Sequence, residues 1–405
     1  MNYIKFYILC AFVMIQASCI KAQQTETKTK LSQQLKNNSI IVGQKTKLYS
    51  KVLGEEKEIY VSLPKNYHQH KHHYPVVYVL EAERLFSVTN AITGFMASQS
   101  LMPQTIVVGI TNGTHLKRNE MAVVVHGGKP KKYLKFLKDE LIPYIDQKYR
   151  ANNHRTIIGM STTNGLVFEA FFSEPYLFKG YIGLSTYLEW NYTKEVPMSD
   201  KLAQAMSDPH RPASTLYLGR PASDLNKKPI ARKITQEINQ QLKKIPTTNV
   251  TYKIELLENH KGYGMAPIGI QNGFKLIYPL SRIVFPYNNP EIKDPVAKVK
   301  QHYQNQSKAY GFKVYPVEEE YLNGSIRVLT LWKKAQELLQ ILKLAVHYYP
   351  ASAYYHLQLA KAYQNNSQIK LATQTAQKAI KLAAKYHPDE LTSYQQQLQE
   401  ILSNK

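Results

Sequence analysis

The feature that most constrains this chain is a series of short apolar runs, each followed by a stretch of helical periodicity. Pro75-Val76-Val77-Tyr78-Val79-Leu80 is one continuous run. Thr105 to Ile110, Thr156 to Ile158, Gly180 to Ser185 and Thr215 to Gly219 repeat it. Runs of this length without polar alternation mark strands buried on both faces. Between them, a helical pattern runs from Leu85 and Phe86 to Gln99. Lys131 to Tyr149 spaces Tyr133, Phe136, Leu137, Leu141, Ile142 and Ile145 along one helix face, and Lys228 to Lys244 is amphipathic. Val250 to Leu256 alternates as a further strand. An N-terminal hairpin is expected from Leu48, Ser50 and Val52, the turn residues Gly54-Glu55-Glu56-Lys57, and then Ile59, Val61 and Leu63. Strands alternating with helices predict an α/β fold with a doubly wound, mostly parallel sheet.

The pattern changes after about Pro286. Strand signals end, and residues 319–405 read as almost wholly helical. Leu359-Ala360, Tyr363, Ala372, Ala376 and Ala379 fall at the offsets of a tetratricopeptide helix pair, and Pro350 and Pro388 close successive pairs. The expected organisation is therefore a signal segment over 1–22, a polar leader over 23–38 and an α/β domain over 39–286. A connection over 287–318 then leads to an all-α helical-repeat domain over 319–405.

The first residues carry Lys5, a brief apolar run from Phe6 to Ile15, and the small residues Ala17, Ser18 and Ala22. This predicts export to the periplasm or medium, with cleavage after Ala22. Ala17-Ser18-Cys19 offers the alternative of a lipoprotein anchored at Cys19. The cysteines are Cys10 and Cys19, so a chain starting at Gln23 has no disulfide. No stretch is long and apolar enough for a spanning helix. The formal net charge of +23 comes from lysines scattered along the chain. No dense basic block or nucleic-acid motif accompanies it, so a lysine-rich surface is expected rather than nucleic-acid binding. His68, His70, His72 and His73 lack ordered ligand spacing and are expected to form a solvated loop, not a metal site.

Thr156-Ile157-Ile158-Gly159-Met160-Ser161-Thr162-Thr163-Asn164-Gly165 combines an apolar run, a sharp turn and a helical run. A serine at such a turn has its hydroxyl exposed above a strand end, the geometry of the nucleophile elbow, G-x-S-x-G. Gly159 is present, Thr163 stands where the second glycine belongs, and the next glycine is Gly165.

From about Leu48 to Arg282 the chain resembles the esterase family of the α/β-hydrolase superfamily, the group that includes enterobactin- and salmochelin-type siderophore esterases. The resemblance rests on Tyr60-Val61-Ser62-Leu63-Pro64, on Tyr74 to Leu80, on Ile106-Val107-Val108-Gly109-Ile110 and on Tyr133 to Asp146. Beyond the elbow, Glu174-Pro175-Tyr176-Leu177-Phe178 and Ser185 to Trp190 also match. The C-terminal stretch from Tyr321 to Pro388 is similar to the helical-repeat tail of some of these esterases. The resemblance implies a Ser-acid-His triad in that chain order, with Ser161 as nucleophile and His260, after the sixth strand, as its base. The acid is expected after the fifth strand, where Asp224 is the nearest carboxylate; Asp224 also reads as a helix N-cap. The implied oxyanion donors are the backbone N–H groups of Thr162 and Ala82. The family has Asp-Gly at Glu81-Ala82 and His at Met160, and a glycine pair where this chain has Thr163 and Asn164. A β-branched Thr163 is expected to restrict the elbow. The triad chemistry implies no cofactor and no metal, and a small-molecule ester as substrate. The other reading is a catalytically degenerate hydrolase fold that binds a protein partner through its helical tail.

Overall fold

Alternation along the central strands explains the layering. Val76, Tyr78 and Leu80 point to one face of the sheet and pack with Tyr133, Leu166 and Phe171, while Val77 and Val79 point to the other and pack with Leu85, Ile270 and Phe274. Both faces are apolar, so both are covered by helices, as the unbroken apolar runs require. The computed structural model describes residues 40–223, 229–245, 249–279, 294–316 and 322–403. The expected signal segment and polar leader, Asp224 and the expected boundary at Pro286 lie outside the described residues.

The hairpin is β1 (Gln44–Ser50) and β2 (Glu55–Ser62), with Gly54 at positive φ between them. Then come β3 (Tyr74–Leu80), α1 (Ala82–Ser98), β4 (Ile106–Ile110) and the short α2 (His115–Asn119). The expected helix over 131–149 is α3 (Pro130–Phe136), a π-turn over Leu137–Leu141, and α4 (Ile142–Lys148). Pro143 lacks an N–H and its ring crowds the carbonyl four residues back, so the widened turn lies where a regular helix would clash. β5 (Ala151–Met160), α5 (Asn164–Ser173), β6 (Gly180–Leu184), α6 (Met198–Ser207), β7 (Ser214–Pro221), α7 (Pro229–Lys243), β8 (Val250–Leu257) and α8 (Ala266–Ile277) follow. The strand order is β1-β2-β4-β3-β5-β6-β7-β8. β1 pairs with β2, and β2 with β4, antiparallel; the other pairs are parallel. The turns after β3, β5, β7 and β8 therefore gather at one rim, the C-terminal edge of the parallel strands, where α/β sheets place their sites.

The remaining helices are α9 (Pro295–Tyr310), α10 (Asn323–Leu331), α11 (Ala335–Tyr348), α12 (Ala353–Asn365), α13 (Ile369–Tyr386) and α14 (Leu391–Ser403). Ala372, Ala376, Ala379 and Ala383 form one buried face of α13, which lets α12 and α14 approach closely. These helices meet the sheet at the opposite rim from Ser161. Phe312 lies against His154 near the start of β5, and Tyr310 against Tyr278.

One sequence expectation is corrected at this contact. His68 and His73 are exposed, but His70 and His72 are only 4% and 6% exposed. His72 stacks on Tyr315 with ring centroids 3.5 Å apart, and its Nε2–H donates to the carbonyl of Tyr348 at 2.9 Å. The loop is an aromatic seat for the helical segment, not a solvated excursion. Among the described residues no cluster of His, Cys, Asp or Glu suits a metal ion, and no helix is long and apolar enough to cross a membrane.

Candidate active site

At the end of β5 the chain turns at Ser161, which has φ 54° and lies in the left-handed region. A non-glycine residue there costs roughly 1–2 kcal/mol, so neighbouring bonds must hold it. Thr163 Oγ1 accepts the Met160 N–H at 2.9 Å and offers its own proton to Met160 O at 3.0 Å and Glu81 Oε1 at 3.2 Å. Asn164 Nδ2 donates to Leu184 O at 2.7 Å, tying the first turn of α5 to the end of β6. Close packing explains both glycines. A Cβ on Gly159 would meet Val167 Cγ2 at 2.6 Å, and one on Gly165 would meet the backbone of Ala122 and Val123 at 2.3 and 2.4 Å. Gly165 thus admits a neighbouring loop rather than the strand. Thr163, expected to restrict the elbow, closes the turn through its hydroxyl.

Opposite the elbow, β3 ends at Leu80 and Glu81 adopts φ 56°, so that α1 begins at Ala82. The first N–H groups of a helix have no intrahelical acceptor and point outward. The Glu81 side chain is fully buried, and its charge is compensated on the spot. Arg118 Nε lies 3.0 Å and Arg84 Nη1 3.7 Å from Glu81 Oε2, and the Tyr263 hydroxyl donates to the same oxygen at 2.5 Å. Arg118 Nη1 also donates to Thr162 Oγ1 at 2.8 Å, and Arg118 Nη2 to the Tyr263 hydroxyl at 3.1 Å. Burial works against the Arg118 charge, but the bond to Glu81 and its charge outweigh that and raise the guanidinium above its ordinary value. Burial, reinforced by Glu81, also raises Tyr263, so its hydroxyl keeps the proton it donates. The structure therefore brings the Thr162 and Glu81-Ala82 turns together.

His260 lies half-buried in the loop after β8. Its Nδ1 is 2.6 Å from the carbonyl of Glu258. A carbonyl only accepts, so Nδ1 carries the hydrogen and Nε2 of the neutral ring is left as a proton acceptor. The His260 carbonyl in turn accepts the Ser223 hydroxyl, which joins this loop to the one after β7. Asp224, the next residue, lies outside the described residues. No hydrogen bond links Ser161 to His260 among the described residues.

Sequence reasoning missed Arg118 and Tyr263. Arg118 reads as one basic residue in a polar loop. Tyr263 follows His260 by three positions between Gly262 and Gly264, which was its one local signal.

Residues 50–244 match the family model described as "Putative esterase". The matched segment holds Glu81, Ala82 and Ser161 and ends before His260. It supports ester hydrolysis as the general activity. No curated protein matches the chain. An IroE-like serine hydrolase from Shewanella oneidensis is similar in structure, with TM-score 0.62 and 20% identity over 75% of this chain and 99% of that one. An uncharacterised protein from Capnocytophaga ochracea has TM-score 0.56 and 17% identity over 87% of this chain and 99% of that one. The siderophore hydrolase EstA from Aspergillus nidulans has TM-score 0.50 and 14% identity over 60% of this chain and 98% of that one. At these identities the likeness concerns the fold. The eight-stranded, mostly parallel sheet with its covering helices fits an α/β-hydrolase-like domain.

Proposed function

We propose that this chain is an exported serine esterase acting on a small or medium carboxylic ester through an acyl-enzyme. The observation that carries the reading is Ser161, held at positive φ between β5 and α5 in a turn whose Thr163 hydroxyl is bonded to Glu81. Ser161 Oγ attacks the ester carbonyl while His260 Nε2 takes its proton. The backbone N–H groups of Thr162 and Ala82 receive the developing oxyanion, aided by the positive end of α5. The protonated His260 then gives its proton to the departing alcohol. Water, activated by the same ring, releases the acid and restores Ser161. Asp224 is assigned as the orienting acid, on a loop whose neighbour Ser223 is bonded to His260. The mature chain begins at Gln23 and acts in the periplasm or medium. Its α/β domain covers 39–286, and the tetratricopeptide-like helices of 319–405, at the rim away from Ser161, present a surface for a protein partner.

A second reading, a binding module with a degenerate elbow, is favoured by one observation: a charged Glu81 carboxylate lies beside the position assigned to the oxyanion. Turnover of simple aryl esters separates the two. The esterase hydrolyses them and Ser161→Ala abolishes the activity; a binding module shows no turnover above the Ser161→Ala background.

A further inference from the structure

Three turns assigned to the chemistry come from distant parts of the chain: Glu81-Ala82 after β3, Ser161 to Thr163 after β5, and His260 to Tyr263 after β8. A single buried carboxylate joins them. Glu81 Oε1 accepts from Thr163, and Oε2 accepts from Tyr263 and faces Arg118. Arg118 reaches back to Thr162. The Tyr263 hydroxyl is saturated: it donates to Glu81 and accepts from Arg118 at 3.1 Å and Arg84 at 2.9 Å, which uses its one proton and both lone pairs.

We infer that Glu81, Arg118 and Tyr263 form a positioning network that sets the His260 loop and the two oxyanion N–H groups against Ser161. The inference rests on the proposed catalytic role of Ser161. A displacement of about 1 Å between reacting groups costs about a hundredfold in rate, so turns that meet only through side chains need a rigid tie. A buried ionic network supplies it. Each partner that moves away leaves an uncompensated group behind, so the turns hold one arrangement or lose several bonds together. Glu81 cannot be freed alone, because two guanidinium groups and two hydroxyls converge on it. None of the three side chains is required to touch substrate.

The test is Tyr263→Phe, which keeps the ring and removes the hydroxyl. Its kcat on an aryl ester falls about ten- to a hundredfold with KM nearly unchanged, as expected for one bond to a charged group. Thr163→Val acts on the same carboxylate, so the double variant loses less than the product of the two single losses. Amide hydrogen exchange is the readout that a local structural role would not move: exchange in Tyr263→Phe rises in residues 258–265 and also in 81–85 and 160–164. An unchanged kcat, multiplicative losses, or exchange confined to 258–265 overturns the inference. If the wild-type protein has no esterase activity, the proposed function fails, and the exchange measurement still decides whether the three turns are coupled.

Discussion

His72 offers a pH dependence with a calculable size. It lies between the α/β domain and the helical segment, stacked on Tyr315 and bonded to the Tyr348 carbonyl, with His70 and Tyr349 against its other sides. Burial lowers its pKa from 6.5 to about 4 against the bond to the Tyr348 carbonyl, which raises it, and the nearby charges of His70, Lys313 and Arg150 push the same way as burial. A folded value below the unfolded one means that the unfolded chain binds the proton first. This site therefore has no effect on stability above about pH 7 and destabilises progressively as pH falls from 6.5 to 4. With those two values the loss between pH 7 and pH 5 is about 2 kcal/mol. His72→Phe keeps an aromatic ring on Tyr315 and removes the titration. Its stability at pH 7 is lower by about 1 kcal/mol for the lost bond to Tyr348. Between pH 7 and pH 5 it loses about 2 kcal/mol less than the wild type does. Urea unfolding at both pH values measures the difference, and the variant comparison cancels the contributions of other histidines. Equal losses in the two proteins would refute a neutral, buried His72 at this contact.

Four further outcomes follow from the same structure. Ser161→Ala and His260→Ala each lower kcat by on the order of 10⁵-fold, and the double variant is no worse than either, as measured by aryl ester turnover. Asp224→Asn lowers kcat by about 10⁴-fold; a change under about twofold would leave the Glu258 carbonyl as the group that orients His260. Thr163→Gly removes the hydroxyl that closes the elbow, so it destabilises by about 1–2 kcal/mol in thermal unfolding and lowers kcat about tenfold. Truncation after Pro279 exposes the His72 and Tyr278 contacts, and the fragment self-associates in sedimentation experiments where the full chain does not.

Most of the architecture could be read from periodicity. The apolar runs at 75–80 and 105–110 became β3 and β4, and the helical pattern ending at Gln99 became α1, which begins earlier than the spacing shows, at Ala82. The Lys131 to Tyr149 segment was harder, because an apolar stripe does not reveal the π-turn before Pro143. The His loop failed for a different reason. Four polar, lysine-flanked residues have the composition of a solvated loop, and Tyr315 and Tyr349, which pack against His72 and His70, lie more than two hundred positions away. At the candidate site, the serine turn was legible because φ-positive strand–helix turns leave a local signature. The ionic cluster was not, since Glu81, Arg118 and Tyr263 meet only through long-range folding. Two departures that looked like separate defects, Glu81 in place of Asp and Thr163 in place of Gly, are bonded to each other.

The central claim is that Ser161 is an activated nucleophile, and covalent capture tests it most directly. Incubation with a fluorophosphonate, followed by peptide mapping, should place one phosphonyl group on Ser161. Labelling should be lost in Ser161→Ala and much slower in His260→Ala. Wild-type protein that stays unlabelled, or carries the group on another residue, would contradict the account.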